Sequence, residues 1–131
     1  MPRNRRSNLI AQPAVTKIGA GKNWLLLEDY ELYVDGLLFK IPKGFVFDLA
    51  SVPECLHWLI DEDELGLAAP CIHDAIYRCN GELPQGWVYP EGAINRKEAD
   101  NLLYWVAMLS GAPHWRASAA YYAVRMFSRR W

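Results

Sequence analysis

The chain has 131 residues, of which 52% are hydrophobic and 22% are charged, and its formal net charge is −1. A chain of this length is expected to form one domain, spanning residues 1–131, whose core is stable without disulfides. Because the net charge is close to zero, no bulk attraction to nucleic acid is expected, and no nucleic-acid partner is predicted.

The sequence shows no sign of a targeting or membrane-spanning segment. Its start, MPRNRRSNL, is basic, but no apolar stretch follows it, so we expect no signal peptide. No run approaches the length of about 18 apolar residues that a membrane helix needs, so no transmembrane segment is predicted. The three cysteines form no CxxC pattern, which argues against a structural zinc site and fits a protein of a reducing cytoplasm.

The first third of the chain carries the signals of strands. Residues 1–23 are basic and polar and are typical of an arm or an irregular lead-in. Residues 24–48 are rich in strand formers and contain the dipeptide Asp35-Gly36, which favours a two-residue hairpin turn. A second turn at 42–44 precedes the alternating stretch FVFD. We therefore predict a small antiparallel sheet, arranged as a hairpin or meander, over 24–48.

Residues 51–131 are predicted to be helical. The stretch Ser51-Val-Pro-Glu54 is a capping box that would begin a helix ending near Leu59. A second helix is expected from about Gly66 to Cys79, and a loop follows it from 81 to 92.

The last two predicted helices follow that loop. A second capping box, Asn95-Arg-Lys-Glu98, begins a helix from Arg96 to about Leu109, and Gly111 ends it. A final helix begins at Pro113. The predicted fold class is therefore α+β, a small N-terminal antiparallel sheet followed by three to four packed helices.

The candidate chemistry lies on the second and third of these helices. His73 and Tyr77 are four residues apart and share one helix face, whereas Asp74 points about 100° away, towards a neighbouring cation or water. Asp100, early in the next helix, can meet one ring nitrogen of His73, and Tyr104 can add a hydroxyl. Such a contact would leave the other nitrogen to take a proton from water.

The pattern His-Asp-x-x-Tyr on one helix, with an Asp on the next, resembles the phospholipase A2 family, in particular the short versions in viral capsid proteins. The resemblance covers residues 71–107. It implies that His73 is the general base, that Asp100 orients it, and that Tyr77 supports the network. It also implies that Asp74 binds Ca²⁺, which would polarise the ester carbonyl. That family places a glycine-rich calcium loop just before the helix, and IDEDELGLAAP contains none.

Three ordered motifs, FVFDLASVP, IHDAIY and NRKEADNLLYWVAM, resemble the family called domain of unknown function 1353. That family consists of small proteins of tailed phages, prophages and bacteria, so the resemblance implies a location in the host cytoplasm or in a virion. It also adds Asp48 to the candidate site. Asp48, Asp74 and Asp100 would together surround His73, and a set of carboxylates suits Ca²⁺ or Mg²⁺.

These residues are compatible with two functions. The first is a small phage-encoded, metal-assisted esterase with a phospholipase A2-like site, acting on lipid or cell-envelope substrates. The second is a non-catalytic structural or accessory component of a phage virion (tail, baseplate or capsid), in which the polar cluster only fixes the packing. Its partners would be other virion proteins or copies of itself. An exposed cleft over His73 would favour the first, and a sealed His73 the second.

The C-terminal helix also has two interpretations. The segment WRASAAYYAVRMFSRRW is basic and aromatic, as expected of a helix that lies on a lipid or envelope surface. Alternatively it is a packed terminal helix with Trp115, Tyr122 and Met126 directed inward.

Overall fold

The computed structural model of the protein describes residues 10–19, 23–48 and 66–127. In chain order these contain the strands β1 (Val15–Ile18), β2 (Asn23–Leu26), β3 (Tyr30–Val34), β4 (Leu37–Ile41) and β5 (Val46–Phe47), the helix α1 (Ala68–Arg78), the strand β6 (Val88–Tyr89), and the helices α2 (Arg96–Leu109) and α3 (His114–Phe127). The predicted α+β class is confirmed. The helix predicted to begin at the Ser51 capping box and end near Leu59 lies outside the described residues.

The strands form two three-stranded antiparallel sheets within the described ranges, not the single meander predicted. One sheet has the order β1-β2-β5 and the other β3-β4-β6. The run of strand formers divides at residues 27–29, where the Asp29 carboxylate accepts a hydrogen bond from the Lys43 backbone N–H. The prediction of an irregular lead-in is wrong for β1, which pairs with β2. The loop predicted over 81–92 likewise contains the short strand β6, which pairs with β4.

The hairpin between β3 and β4 turns at the predicted dipeptide. Asp35 and Gly36 both have positive φ, 55° and 79°, which a two-residue turn of type I′ requires. Val34 then faces Leu37 across the ladder, and alternate β3 side chains point into the core. Local sequence chemistry therefore sets the register of this pair.

Helix α2 has the limits that its capping residues predict. The Asn95 side chain accepts from the Glu98 N–H at 2.8 Å, and the Glu98 carboxylate accepts from the Asn95 N–H at 2.9 Å. At the other end Gly111 has φ of 96°, and the Ala112 N–H donates to the Ala107 carbonyl. This combination is the Schellman pattern that ends helices at glycine. The predicted boundaries of α2 are confirmed.

Helix α1 is capped by a residue far away in the sequence. Its N-terminal residue Leu67 provides no side-chain cap. Instead Gln12 Oε1 accepts from the N–H groups of Leu67 and Ala68, each at 3.0 Å, while Gln12 Nε2 donates to Ser110 Oγ at 2.8 Å. Gln12 thus fixes the segment before β1 to the start of α1 and the end of α2.

Helix α3 packs on α2 through small residues. Ala117 and Ala120 are fully buried, whereas Trp115, Tyr122 and Met126 are 55%, 60% and 70% exposed. The interpretation with those three residues inward is therefore wrong, because alanines allow a close approach that large side chains would prevent. Among the described residues no helix has both the length and the hydropathy of a membrane span.

Candidate functional site

The site is built on α1, whose residues from Ala68 to Tyr77 are all buried. This helix packs against α2 on one side and approaches the sheets on the other. His73 and Tyr77 lie one turn apart, and their rings are 4.2 Å apart between centroids. The predicted shared face is therefore present, and it lies inside the protein.

Asp100 is the centre of a buried hydrogen-bond network. Its Oδ1 lies 2.7 Å from His73 Nε2 and accepts a hydrogen bond from the Tyr77 hydroxyl at 2.8 Å. Its Oδ2 accepts from Arg125 Nη1 at 3.0 Å. Asp100 is fully buried and His73 is 4% exposed. The expected contact between His73 and Asp100 is present, and the network around Asp100 joins residues of all three described helices.

The donors around Asp100 determine which form of His73 fits. The guanidinium of Arg125 can only donate, and the Tyr77 hydroxyl is oriented as a donor, so an ionised Asp100 satisfies both. A neutral His73 imidazole that also donates to Asp100 carries its proton on Nε2 and keeps a lone pair on Nδ1. Within the described residues no group hydrogen-bonds Nδ1 of His73, whose ring is buried.

Asp74 belongs to a second cluster, with Arg78 and Asp48. Asp74 Oδ2 accepts from Arg78 Nε at 2.8 Å and from the Asp48 backbone N–H at 3.2 Å. Arg78 Nη2 also lies 3.3 Å from Asp48 Oδ2. Burial raises the pKa of Asp74 to about 6, since it outweighs the attraction of Arg78, and the nearby Asp48 carboxylate adds to the increase.

The structure does not bring the three carboxylates together around His73. Asp100 contacts the imidazole, whereas Asp48 and Asp74 share the guanidinium of Arg78. That guanidinium takes the place expected for a cation between these two carboxylates. In the described part of the chain, no group of three or more His, Cys, Asp or Glu side chains is arranged to hold a metal.

Tyr104 is the other difference from the expected arrangement. Its ring packs edge-to-face against Trp105 at 5.0 Å and against His114 at 5.9 Å. No hydrogen bond links Tyr104 to the Asp100 network within the described ranges. The hydroxyl expected from Tyr104 is therefore not part of that network.

Cys71, also on α1, is not suited to act as a nucleophile. Its side chain is fully buried. Burial raises the pKa of the thiol well above its ordinary value, and the Asp74 charge raises it further. Because the thiolate is the reactive form, this cysteine is suited to packing rather than to catalysis.

Two arginines of the site were not among the predicted residues. Arg78 follows Asp74 by four residues, a spacing that predicts a helical ion pair and could have identified it. Arg125 reaches Asp100 from α3, and no local sequence pattern indicates that contact.

A family model described as Protein of unknown function (DUF1353) matches residues 24–124. The chain belongs to this family. The DUF1353 match contains His73, Asp100 and Arg78, and it ends one residue before Arg125. Searches of curated proteins and of solved structures gave no match. The family description names no reaction, so the function must be argued from the site.

Proposed function

We propose that this protein is a hydrolase that uses His73 as a general base on an ester substrate. One arrangement carries the proposal: His73 Nε2 is held by Asp100 at 2.7 Å, and Nδ1 has no partner among the described residues. An imidazole that is held at one nitrogen and keeps a lone pair on the other can take a proton from water without losing its orientation.

In the proposed reaction the neutral His73 ring accepts a proton from water at Nδ1 while the water oxygen attacks the ester carbonyl carbon. The ring becomes an imidazolium, which the Asp100 carboxylate stabilises across the Nε2 contact. When the ester C–O bond breaks, the leaving alkoxide takes the proton from Nδ1. The products are a carboxylic acid and an alcohol, and His73 returns to its neutral form.

Tyr77 and Arg125 are positioning residues in this scheme. They hold both oxygens of Asp100, so the carboxylate cannot rotate away from His73. Arg96 adds a further donor, since its Nε lies 3.2 Å from the Tyr77 hydroxyl. A carboxylate that is already oriented needs no rearrangement when positive charge develops on the ring.

The choice of an ester follows the resemblance to phospholipase A2, and lipids or cell-envelope esters are the substrates that it favours. Calcium takes part in no step proposed here, because Arg78 is the cation that Asp74 and Asp48 bind. The phage setting implied by the family resemblance is part of the proposal.

Burial favours a second candidate function. His73 is 4% exposed and Asp100 is fully buried, as expected of a polar network that only fixes the packing of three helices. In that case the protein is a non-catalytic component of a phage virion, and its partners are other virion proteins or further copies of this chain.

The deciding experiment measures hydrolysis of a short-chain nitrophenyl ester and of phospholipid vesicles, each with calcium and with a chelator. For a hydrolase, His73→Gln is expected to lose at least about 100-fold in rate, because removal of a general base typically costs that much. His114→Gln is the matched control for the nitrophenyl ester, since His114 is exposed on α3 and lies outside the Asp100 network.

Thermal unfolding monitored by circular dichroism shows whether each variant is folded. Equal rates for the His73 and His114 variants, both folded, would contradict the assigned base. A folded wild-type protein that hydrolyses neither substrate under either condition contradicts the esterase and supports the structural candidate.

A further inference from the structure

The outer surface between α2 and α3 contains a groove with a volume of about 380 Å³. Its walls are mainly aromatic, formed by Tyr104 and Trp105 of α2 and by Tyr121 and Tyr122 of α3. We call this surface the aromatic groove. Trp105 is 52% exposed and Tyr122 is 60% exposed. Burying these large rings would stabilise the fold more than leaving them in solvent. Such a surface is typical of a binding site.

The rings of the aromatic groove stand nearly perpendicular to one another. The interplanar angle is 82° between Tyr104 and Trp105, 79° between Tyr121 and Tyr122, and 86° between Tyr104 and His114. In each edge-to-face pair the edge of one ring covers one face of its neighbour, and the remaining ring faces point in different directions.

The chemistry of the walls selects the charge of the ligand. Among the described residues that line the groove, none is Asp, Glu, Lys or Arg, and the remaining members are Asn101, His114 and Ser118. The faces of aromatic rings carry partial negative charge and attract cations. An anion would be repelled by these faces, whereas a primary ammonium would need acceptors for three N–H groups. A quaternary ammonium needs neither a carboxylate nor a hydrogen bond.

We propose that the aromatic groove binds a quaternary ammonium group of the choline type. The volume lies at the lower end of the range for ligand pockets, which suits a group of this size. Asn101 and Ser118 are neutral polar groups at the same surface and can hydrogen-bond the remainder of the ligand. This site does not depend on the proposed hydrolase activity of His73.

Isothermal titration of the full chain with choline and with tetramethylammonium tests the site. Millimolar binding of both is expected, and Trp105→Leu should weaken it at least about fivefold, as expected when one cation–π contact is lost. Tyr122→Leu should also weaken the binding of both cations. It serves as the test variant if Trp105→Leu does not fold. Trp115→Leu is the matched control, because Trp115 is also exposed but does not line the groove.

The neutral carbon analogue of choline, with a tert-butyl group in place of the trimethylammonium group, separates charge from shape. We expect it to bind at least about fivefold more weakly than choline. Equal affinity for the analogue, equal losses in the Trp105 and Trp115 variants, or no binding of either cation would each overturn the proposal.

Vesicles then distinguish a lipid headgroup from a free ligand. Sedimentation with phosphatidylcholine vesicles, lost in Trp105→Leu, would assign the groove to the lipid headgroup. Binding of choline without binding of these vesicles would assign it to a free ligand, and both results support the cation site. Sedimentation with phosphatidylglycerol vesicles alone, without choline binding, would contradict it.

Discussion

Asp74 is a buried carboxyl whose charge should make the stability of the protein depend on pH. Burial raises its pKa from 3.8 to about 6 despite the attraction of Arg78. The folded state therefore holds a proton on Asp74 over a pH range in which the unfolded chain has lost it. Stability from this group is present below the unfolded pKa and decreases as pH rises towards the folded pKa.

The size of the effect follows from the two pKa values. The increase from 3.8 to about 6 corresponds to about 3 kcal/mol of free energy of unfolding, lost in full at neutral pH. About 2 kcal/mol of this change falls between about pH 4.5 and about pH 7.5. Asp74→Asn cannot ionise, so the free energy of unfolding of wild type minus that of the variant should decrease by about 2 kcal/mol over this interval.

Urea unfolding of both proteins at several pH values measures this difference, and titrating groups that do not interact with Asp74 cancel between them. Glu31→Gln, at an exposed position of β3, controls for the general loss of a negative charge. A difference that is constant with pH, or that grows as pH rises, would refute the reasoning. A constant difference would mean that the attraction of Arg78 offsets burial, and a growing difference would mean that it outweighs burial.

Gln12→Ala should lower the free energy of unfolding by about 1.5 kcal/mol, because it removes the acceptor of two N–H groups in the first turn of α1. Gln85→Ala, at an exposed loop position, should change it by less than about 0.5 kcal/mol in the same urea assay, and equal effects would contradict the capping role. Tyr77→Phe should cost about 1–2 kcal/mol in thermal unfolding, because Asp100 loses a buried donor; unchanged stability would show that this hydrogen bond is not formed.

Features set by a few neighbouring residues could be predicted from the sequence. Asp35-Gly36 can adopt the positive φ values of a tight hairpin, and the Asn95 capping box fixes the first residue of α2. Both depend on backbone conformations and hydrogen bonds within four residues. The spacing of His73 and Tyr77 was predictable for the same reason, since helix geometry alone sets it.

Features set by distant partners could not be predicted in this way. The strand formers of residues 24–34 do not indicate that β2 and β3 belong to different sheets, because both strands are rich in apolar and aromatic residues. Strand β6 has two residues, too few for a periodic pattern. The buried face of α3 could not be predicted either, because hydrophobicity favours its large side chains, whereas close packing on α2 requires its alanines.

The site shows the same division between local and distant contacts. The approach of Asp100 to His73 was predicted from two helices with suitable polar residues, and the structure contains it. The Arg125 contact depends on which face of α3 packs on α2, and the sequence pattern does not predict that face. The expectation that Asp48 and Asp74 bind a metal leaves out Arg78, whose guanidinium contacts both carboxylates.

The protonation state of His73 is the most direct test of the proposed base. Nitrogen-15 NMR of labelled histidines at about pH 8, where imidazoles are generally neutral, distinguishes the two tautomers. The chain has three histidines, so loss of one signal set in His73→Gln assigns the ring. We predict a proton on Nε2, facing Asp100, and none on Nδ1. A proton on Nδ1 of the neutral ring would contradict the account, because that nitrogen could not accept one from water.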